Sequence, residues 1–181
     1  MDGHIVVMGI SGSYEMESSN GRLLELVLGD CRTAGAEAFV WDNEKTPLPM
    51  VGEEGCWSHP NVKKFKDKAE SADAFVLSSP EYHGTMSGVM KNNLDWLSSE
   101  QASGKVFGLM STLGGRTNSN TLNHMRIVAR WVHGWVVPEQ VAIGNVESAF
   151  DESGQLIEES IRNRVSGLAE SLVTSTVKLR R

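Results

Sequence analysis

The chain has 181 residues, with 17 Lys and Arg against 23 Asp and Glu for a formal net charge of −6, and only two cysteines. That length suits one domain with a full-sized core, and an apolar content of 40% before the 18 glycines are counted excludes a disordered chain. The acidic balance argues against an extended nucleic-acid surface, which needs clustered cations to displace counterions from phosphates. It leaves room for one phosphate-bearing small molecule held by backbone amides.

Cys31 and Cys56 are too few for a disulfide framework and stand in no metal-ligand spacing. They read as one buried small residue and one loop thiol. The start, Met1-Asp2-Gly3-His4, shows no basic segment followed by a long apolar run. No apolar stretch approaches the ~20 residues a membrane helix needs, so a cytoplasmic location is the expectation.

Taken in chain order, short apolar runs alternate with stretches of helical period. Residues 5–10 predict a buried strand. Leu23, Leu24, Val27, Leu28 and Cys31 then mark one face of a helix. Residues 38–41 predict a second strand, and the Gly-, Pro- and acid-containing stretch 46–59 a surface excursion. A weaker helix follows over 61–70, anchored by Val62 and Phe65. Residues 74–77 form the third strand; Met86, Val89, Met90, Leu94 and Leu97 mark the next helix. Residues 106–110 form the fourth strand, and Leu122, Met125, Ala129 and Val132 another helical stripe. The fifth strand, 136–143, contains Pro138, which removes a ladder donor and predicts an edge strand or a bend. Ile157, Ile161, Leu168 and Leu172 define a last helix.

Five strands alternating with five helices predict an α/β fold: a parallel sheet covered on both faces, in one domain spanning 1–181. The flavodoxin-like arrangement, a three-layer sandwich with strand order 2-1-3-4-5, fits this count. It places a ligand crevice beyond the carboxyl ends of the strands, where strands 1 and 3 meet. The loops after Ile10, Leu77 and Met110 therefore carry the search for a site.

The first loop runs Ser11-Gly12-Ser13-Tyr14-Glu15-Met16-Glu17-Ser18-Ser19-Asn20. Hydroxyls, an amide and a glycine at a strand-to-helix junction suit an anion, since N–H groups and the dipole of a helix start favour negative charge. Plain N-capping by Ser18, Ser19 or Asn20 explains the same residues. The loop matches neither the Walker pattern nor G-x-G-x-x-G. The second loop, Ser78-Ser79-Pro80-Glu81-Tyr82-His83-Gly84, combines a fixed dihedral at Pro80 with a permissive one at Gly84. It suits a planar aromatic ligand edged by amides and walled by Tyr82 and His83; a packing tyrosine and a hydrogen-bonded histidine are the plainer alternative. In the third loop, Ser111-Thr112-Leu113-Gly114-Gly115-Arg116, paired glycines let amides approach a ligand or simply make a tight turn.

Read as one string, SPEYHGTMSGVMKNNLDW (79–96) closely resembles the NADPH-dependent FMN reductase family. The matching positions are Pro80, Glu81, Tyr82 and Gly84 in the turn, then Gly88, Lys91, Asn92, Asp95 and Trp96 in the helix. The resemblance covers residues 5–143, and the last helix is similar only in character. It implies a flavodoxin-like fold and bound FMN, with the phosphate near Ser11, Ser13, Ser18, Ser19 and Asn20. It also implies an isoalloxazine bordered by Pro80, Glu81, Tyr82 and His83, with Ser111, Gly114 and Gly115 along another edge. Homodimers or homotetramers are implied through the helix carrying Lys91 and Trp96; a solvated charge and an ordinary core aromatic are the equally plain alternative for these two residues.

One departure stands out. The family commonly carries an arginine where this chain has Glu15, and Glu17 adds a second carboxylate. Like charges about 4 Å apart cost roughly 1 kcal/mol in water, so weaker FMN binding is expected, about tenfold per 1.4 kcal/mol; the alternative is that both carboxylates point into solvent and the Ser and Asn donors hold the phosphate. Arg22 and Arg116 are the candidate compensating cations.

The resemblance implies an oxidoreductase that passes hydride from NADPH or NADH through FMN, by a ping-pong mechanism, to a quinone, azo compound, metal oxyanion or free flavin. The cofactor carries the hard chemistry, so no side chain is nominated as catalytic. Arg116 is a candidate contact for a 2′-phosphate. The alternative reading is a flavin-binding regulatory or electron-carrier protein with weak or no NAD(P)H turnover, for which the acidic loop is the main support.

Overall fold

The computed structural model describes residues 4–116 and 120–180. Met1, Asp2 and Gly3, read above for targeting, lie outside the described residues, as do 117–119 and Arg181 of the expected 1–181 domain. Among the described residues, six strands and six α-helices follow one another: β1 (Val6–Ser11), α1 (Ser19–Thr33), β2 (Glu37–Trp41), α2 (Pro60–Ser71), β3 (Ala74–Tyr82), β4 (Thr85–Met86), α3 (Gly88–Asp95), α4 (Ser99–Ala102), β5 (Val106–Thr112), α5 (Asn120–Trp131), β6 (Trp135–Ile143) and α6 (Glu159–Leu179).

The sheet order is β2-β1-β3-β5-β6, with every neighbouring pair parallel. This is the expected 2-1-3-4-5 order with one addition, since β4 pairs antiparallel with the end of β3. The five-strand expectation omitted β4 because a two-residue strand has no periodicity to read. The fifth predicted strand is an edge strand, as Pro138 requires. Its pairing slips there: Phe107 faces Val136, but Leu109 faces Gln140, so the segment around Pro138 bulges from the ladder.

Two apolar cores form the outer layers. One packs Phe65, Met90, Leu94, Trp96, Leu122 and Met125 of α2, α3 and α5, together with the segment just after α3, against one sheet face. The other packs Leu23, Leu24, Val27 and Leu28 of α1, with Leu168 and Leu172 of α6, against the opposite face. Helix boundaries have local causes. Ser18 caps α1 by accepting from Gly21 N, and Pro60 opens α2 at a position whose N–H would otherwise have no partner. The region 61–70, the weakest helical reading, is a full helix because Val62, Phe65 and Ala69 are all buried. Cys56, expected as a loop thiol, is buried in a 3-10 turn at Cys56–Ser58, so neither cysteine is presented at the surface.

The excursion over 46–59 does run over the surface, but it is pinned at its start. Asn92 Nδ2 donates to Leu48 O at 3.1 Å and Trp96 Nε1 to Pro49 O at 2.9 Å. Asn61 Nδ2 donates to Pro47 O at 2.8 Å.

Candidate functional site

The register aligns a row of hydroxyl residues across the carboxyl ends of the central strands. Ser11 sits opposite Ser78 of β3, and Ser79 opposite Ser111 of β5. All four are fully buried. Beyond that row lie the three loops selected from the sequence.

The first loop is held by residues distant in sequence. Gly12 N donates to Ser78 O at 2.7 Å, and Ser87 Oγ donates to Gly12 O. A Cβ on Gly12 would stand 2.9 Å from Ser79 Cα, so glycine is what lets the loop lie against β3. Asn43 Nδ2 donates to the carbonyls of Ser11 and Ser13 at 2.9 and 3.0 Å. Asn93 Nδ2 in turn donates to Asn43 Oδ1 at 2.9 Å. Sequence reading missed both asparagines, because an isolated Asn after a strand or within a helix carries no pattern beyond turn propensity.

Among the expected phosphate residues the roles divide. Ser11 Oγ accepts from Ser13 N at 3.1 Å and is buried. Asn20 is 3% exposed and knits the strand ends together, donating to Thr112 Oγ1 at 2.9 Å and accepting from Ser78 Oγ at 3.1 Å. Ser18 Oγ donates to Glu15 O at 2.7 Å while accepting from Gly21 N. These three side chains serve the scaffold, as the capping alternative anticipated for Ser18. Ser13 and Ser19 are half-buried, Ser13 in the loop and Ser19 as the first residue of α1.

The second loop is a hairpin. His83 and Gly84 take φ of 52° and 79° between the paired residues Tyr82 and Thr85, a two-residue turn with both central dihedrals positive. The turn presents Tyr82, 60% exposed, and His83 outward, while Pro80 is buried. Glu81 has a second role besides lining the loop: its Oε2 accepts from Thr121 N at 3.0 Å, placing a carboxylate at the positive end of α5. Thr85 Oγ1 and His124 Nδ1 lie 2.7 Å apart, a further tie from hairpin to helix.

The third loop exposes Gly114, Gly115 and Arg116 beside buried Ser111 and Thr112. Its backbone rests on Gly144, a residue absent from the sequence-based site. A Cβ there would meet Arg116 O at 2.2 Å and Gly115 O at 2.8 Å. Among the described residues, no group of three or more His, Cys, Asp or Glu is placed to hold a metal ion.

The two interface candidates separate. Lys91 is exposed and paired with Asp95 four residues on. Trp96 is 2% exposed, with its ring edge-on to Trp57 at 5.3 Å. Burial within its own chain therefore removes Trp96 from any contact between copies. The candidate compensating cations also lie apart: Arg22 lines a groove with Glu17, Glu25 and Glu152, and Arg116 belongs to the third loop.

A doubly wound parallel sheet with three converging loops beyond its β1–β3 junction defines a flavodoxin-like protein. The family model described as NADPH-dependent FMN reductase matches residues 5–148, and the chain belongs to that family. It is 33% identical over 151 residues to a Rhizobium meliloti (strain 1021) protein named NADPH-dependent FMN reductase ArsH, covering 81% of this chain and 61% of that one. The chain thus spans about three fifths of that relative. It is 33% identical over 150 residues to the FMN-dependent NADPH-azoreductase of Staphylococcus aureus (strain USA300), covering 80% of each. In fold it is similar to the apo form of the NADH:FMN oxidoreductase EMOB, with a TM-score of 0.78 at 19% identity over 94% of this chain and 89% of that one. FMN and NADPH, implied by the resemblance, are the cofactors in the family's description. No described helix is long and apolar enough to cross a membrane.

The residues present fit a flavin mononucleotide. The loop opening α1 offers backbone amides and the half-buried hydroxyls of Ser13 and Ser19. The hairpin offers backbone groups beside the exposed Tyr82 and His83, and Gly114 and Gly115 are exposed without side chains. Thr121 Oγ1, next to the amide that Glu81 holds, is buried without a protein partner among the described residues.

Proposed function

We propose that the chain is an FMN-dependent NAD(P)H oxidoreductase acting by ping-pong exchange on a small acceptor: a quinone, an azo compound, a metal oxyanion or a free flavin. The observation that carries this reading is the family match, which runs through all three loops. When bound, FMN supplies hydride-equivalent redox chemistry that no side chain provides. The chain's part is to bind, orient and shield. Ser13 and Ser19, with the amides opening α1, would hold the phosphate. Backbone groups of Pro80, Glu81, Tyr82, His83, Gly114 and Gly115 would border the ring, and Ser11, Ser18, Asn20 and Ser111 would hold the loops in place. Tyr82 and His83, raised on a fixed turn, would set acceptor access, and Arg116 remains the candidate for a 2′-phosphate.

The proposal extends to a cytoplasmic homodimer or homotetramer. Tyr14 and Met50, 50% and 57% exposed, share a groove with Gly88, Val89 and Asn92 of α3, and Trp57, 73% exposed, packs edge-on to Trp96. Large apolar groups so exposed favour contact with another copy.

A second reading, a flavin-binding regulator or electron carrier with little turnover, is favoured by Glu15 and Glu17 in a loop without a basic side chain. Steady-state oxidation of NADPH and NADH with a panel of acceptors separates the two. Turnover with at least one acceptor supports the enzyme; flavin binding without turnover supports the carrier.

A further inference from the structure

We infer that this chain's flavin site does not select for the phosphate, so riboflavin and FMN bind with closely similar affinity. This rests on the proposed flavin site and concerns which part of the flavin the protein recognises. Residues 11–20 contain no Lys, Arg or His and two carboxylates. Both carboxylate residues are exposed. Glu15 is also tied to the start of α1, because its carbonyl accepts from the N-cap hydroxyl of Ser18 at 2.7 Å. Its backbone is therefore fixed beside the first turn of α1, with the side chain exposed.

The nearby cation is outnumbered by carboxylates. Arg22, the nearest following cation, shares its groove with three carboxylates, Glu17, Glu25 and Glu152. The neutral donors are also depleted: the Ser18 hydroxyl proton goes to Glu15 O, and the Asn20 amide goes to Thr112 and Ser13. What remains favourable is the dipole of α1, the loop amides and the hydroxyls of Ser13 and Ser19. Two acidic side chains at a helix start act against a bound dianion through the same field that helps it. The ring, bordered by uncharged backbone in the second and third loops, would then carry most of the affinity.

The test is equilibrium binding of riboflavin and FMN to the purified full chain, followed by flavin fluorescence. The two dissociation constants are expected to agree within about tenfold. Raising the salt concentration should tighten FMN binding and leave riboflavin unchanged, because screening relieves repulsion at a net-negative loop. The double variant Glu15→Gln with Glu17→Gln should tighten FMN about tenfold or more and leave riboflavin within about twofold. FMN binding more than about tenfold tighter than riboflavin, and weakened by salt, overturns the inference while preserving the flavin reading. If neither flavin binds, the flavin reading itself falls, and the inference with it.

Discussion

Asn20, on the first turn of α1, donates to Thr112 Oγ1 at the end of β5 across 92 positions of sequence. Its Oδ1 accepts from Ser78 Oγ on β3. One amide thus links the helix to two strand ends, next to β1, where the loop hydroxyl of Ser13 also contacts it. The floor of the site is braced by these side chains as well as by the backbone bond from Gly12 N to Ser78 O.

Replacing that amide should be costly. Asn20→Ala leaves the buried Ser78 and Thr112 hydroxyls without this partner, which costs about 2–3 kcal/mol. For a chain of this size the melting temperature should fall by about 5–10 °C. Thermal unfolding followed by circular dichroism measures it, and a drop under about 2 °C would show that the network is dispensable.

Gly144→Ala probes the third loop from below. Its Cβ would lie 2.2 Å from Arg116 O, so the Gly114–Arg116 backbone must move. Flavin affinity should fall about tenfold or more, and the strain should lower the melting temperature as well. Titration of the variant with riboflavin checks this.

Glu81→Ala removes the carboxylate from the start of α5, with an expected cost of about 1 kcal/mol. Glu81→Gln retains an acceptor and should recover part of it. Hydrogen exchange at Thr121 should quicken in the alanine variant first, because its amide donates to Glu81.

Burial, reinforced by Asp30 and opposed by Arg32, pushes the Cys31 thiol up from 9.0 to about 12. The raised pKa means that the folded state keeps its proton longer than the unfolded chain. The associated stability is complete below pH 9 and is lost as pH rises toward about 12. Cys31→Ala should flatten this alkaline limb in a stability-against-pH series. A native thiol assay at pH 8 should label neither cysteine, since both are buried.

Much of the fold was legible because its two periodicities differ. Continuous apolar runs such as 106–110 have no helical reading of similar quality, and the stripe Leu23–Leu24–Val27–Leu28 has no strand reading. The loops were legible from Gly, Ser and Pro at strand ends. Distant partners were not. Asn43, Asn93 and Gly144 act through contacts made only after folding, and a single residue of these types predicts no more than a turn. Trp96 could be read as a core aromatic or an interface residue, because the family's helix pattern gives its position, whereas its burial depends on the 47–49 segment that covers it.

The measurement that bears most directly on the proposed activity is the visible spectrum of the purified chain reconstituted with FMN, recorded anaerobically before and after NADPH. The expected result is a bound-flavin spectrum that bleaches on adding NADPH and recovers on adding a quinone. An unchanged flavin band with both NADPH and NADH, despite proven flavin binding, would contradict the account.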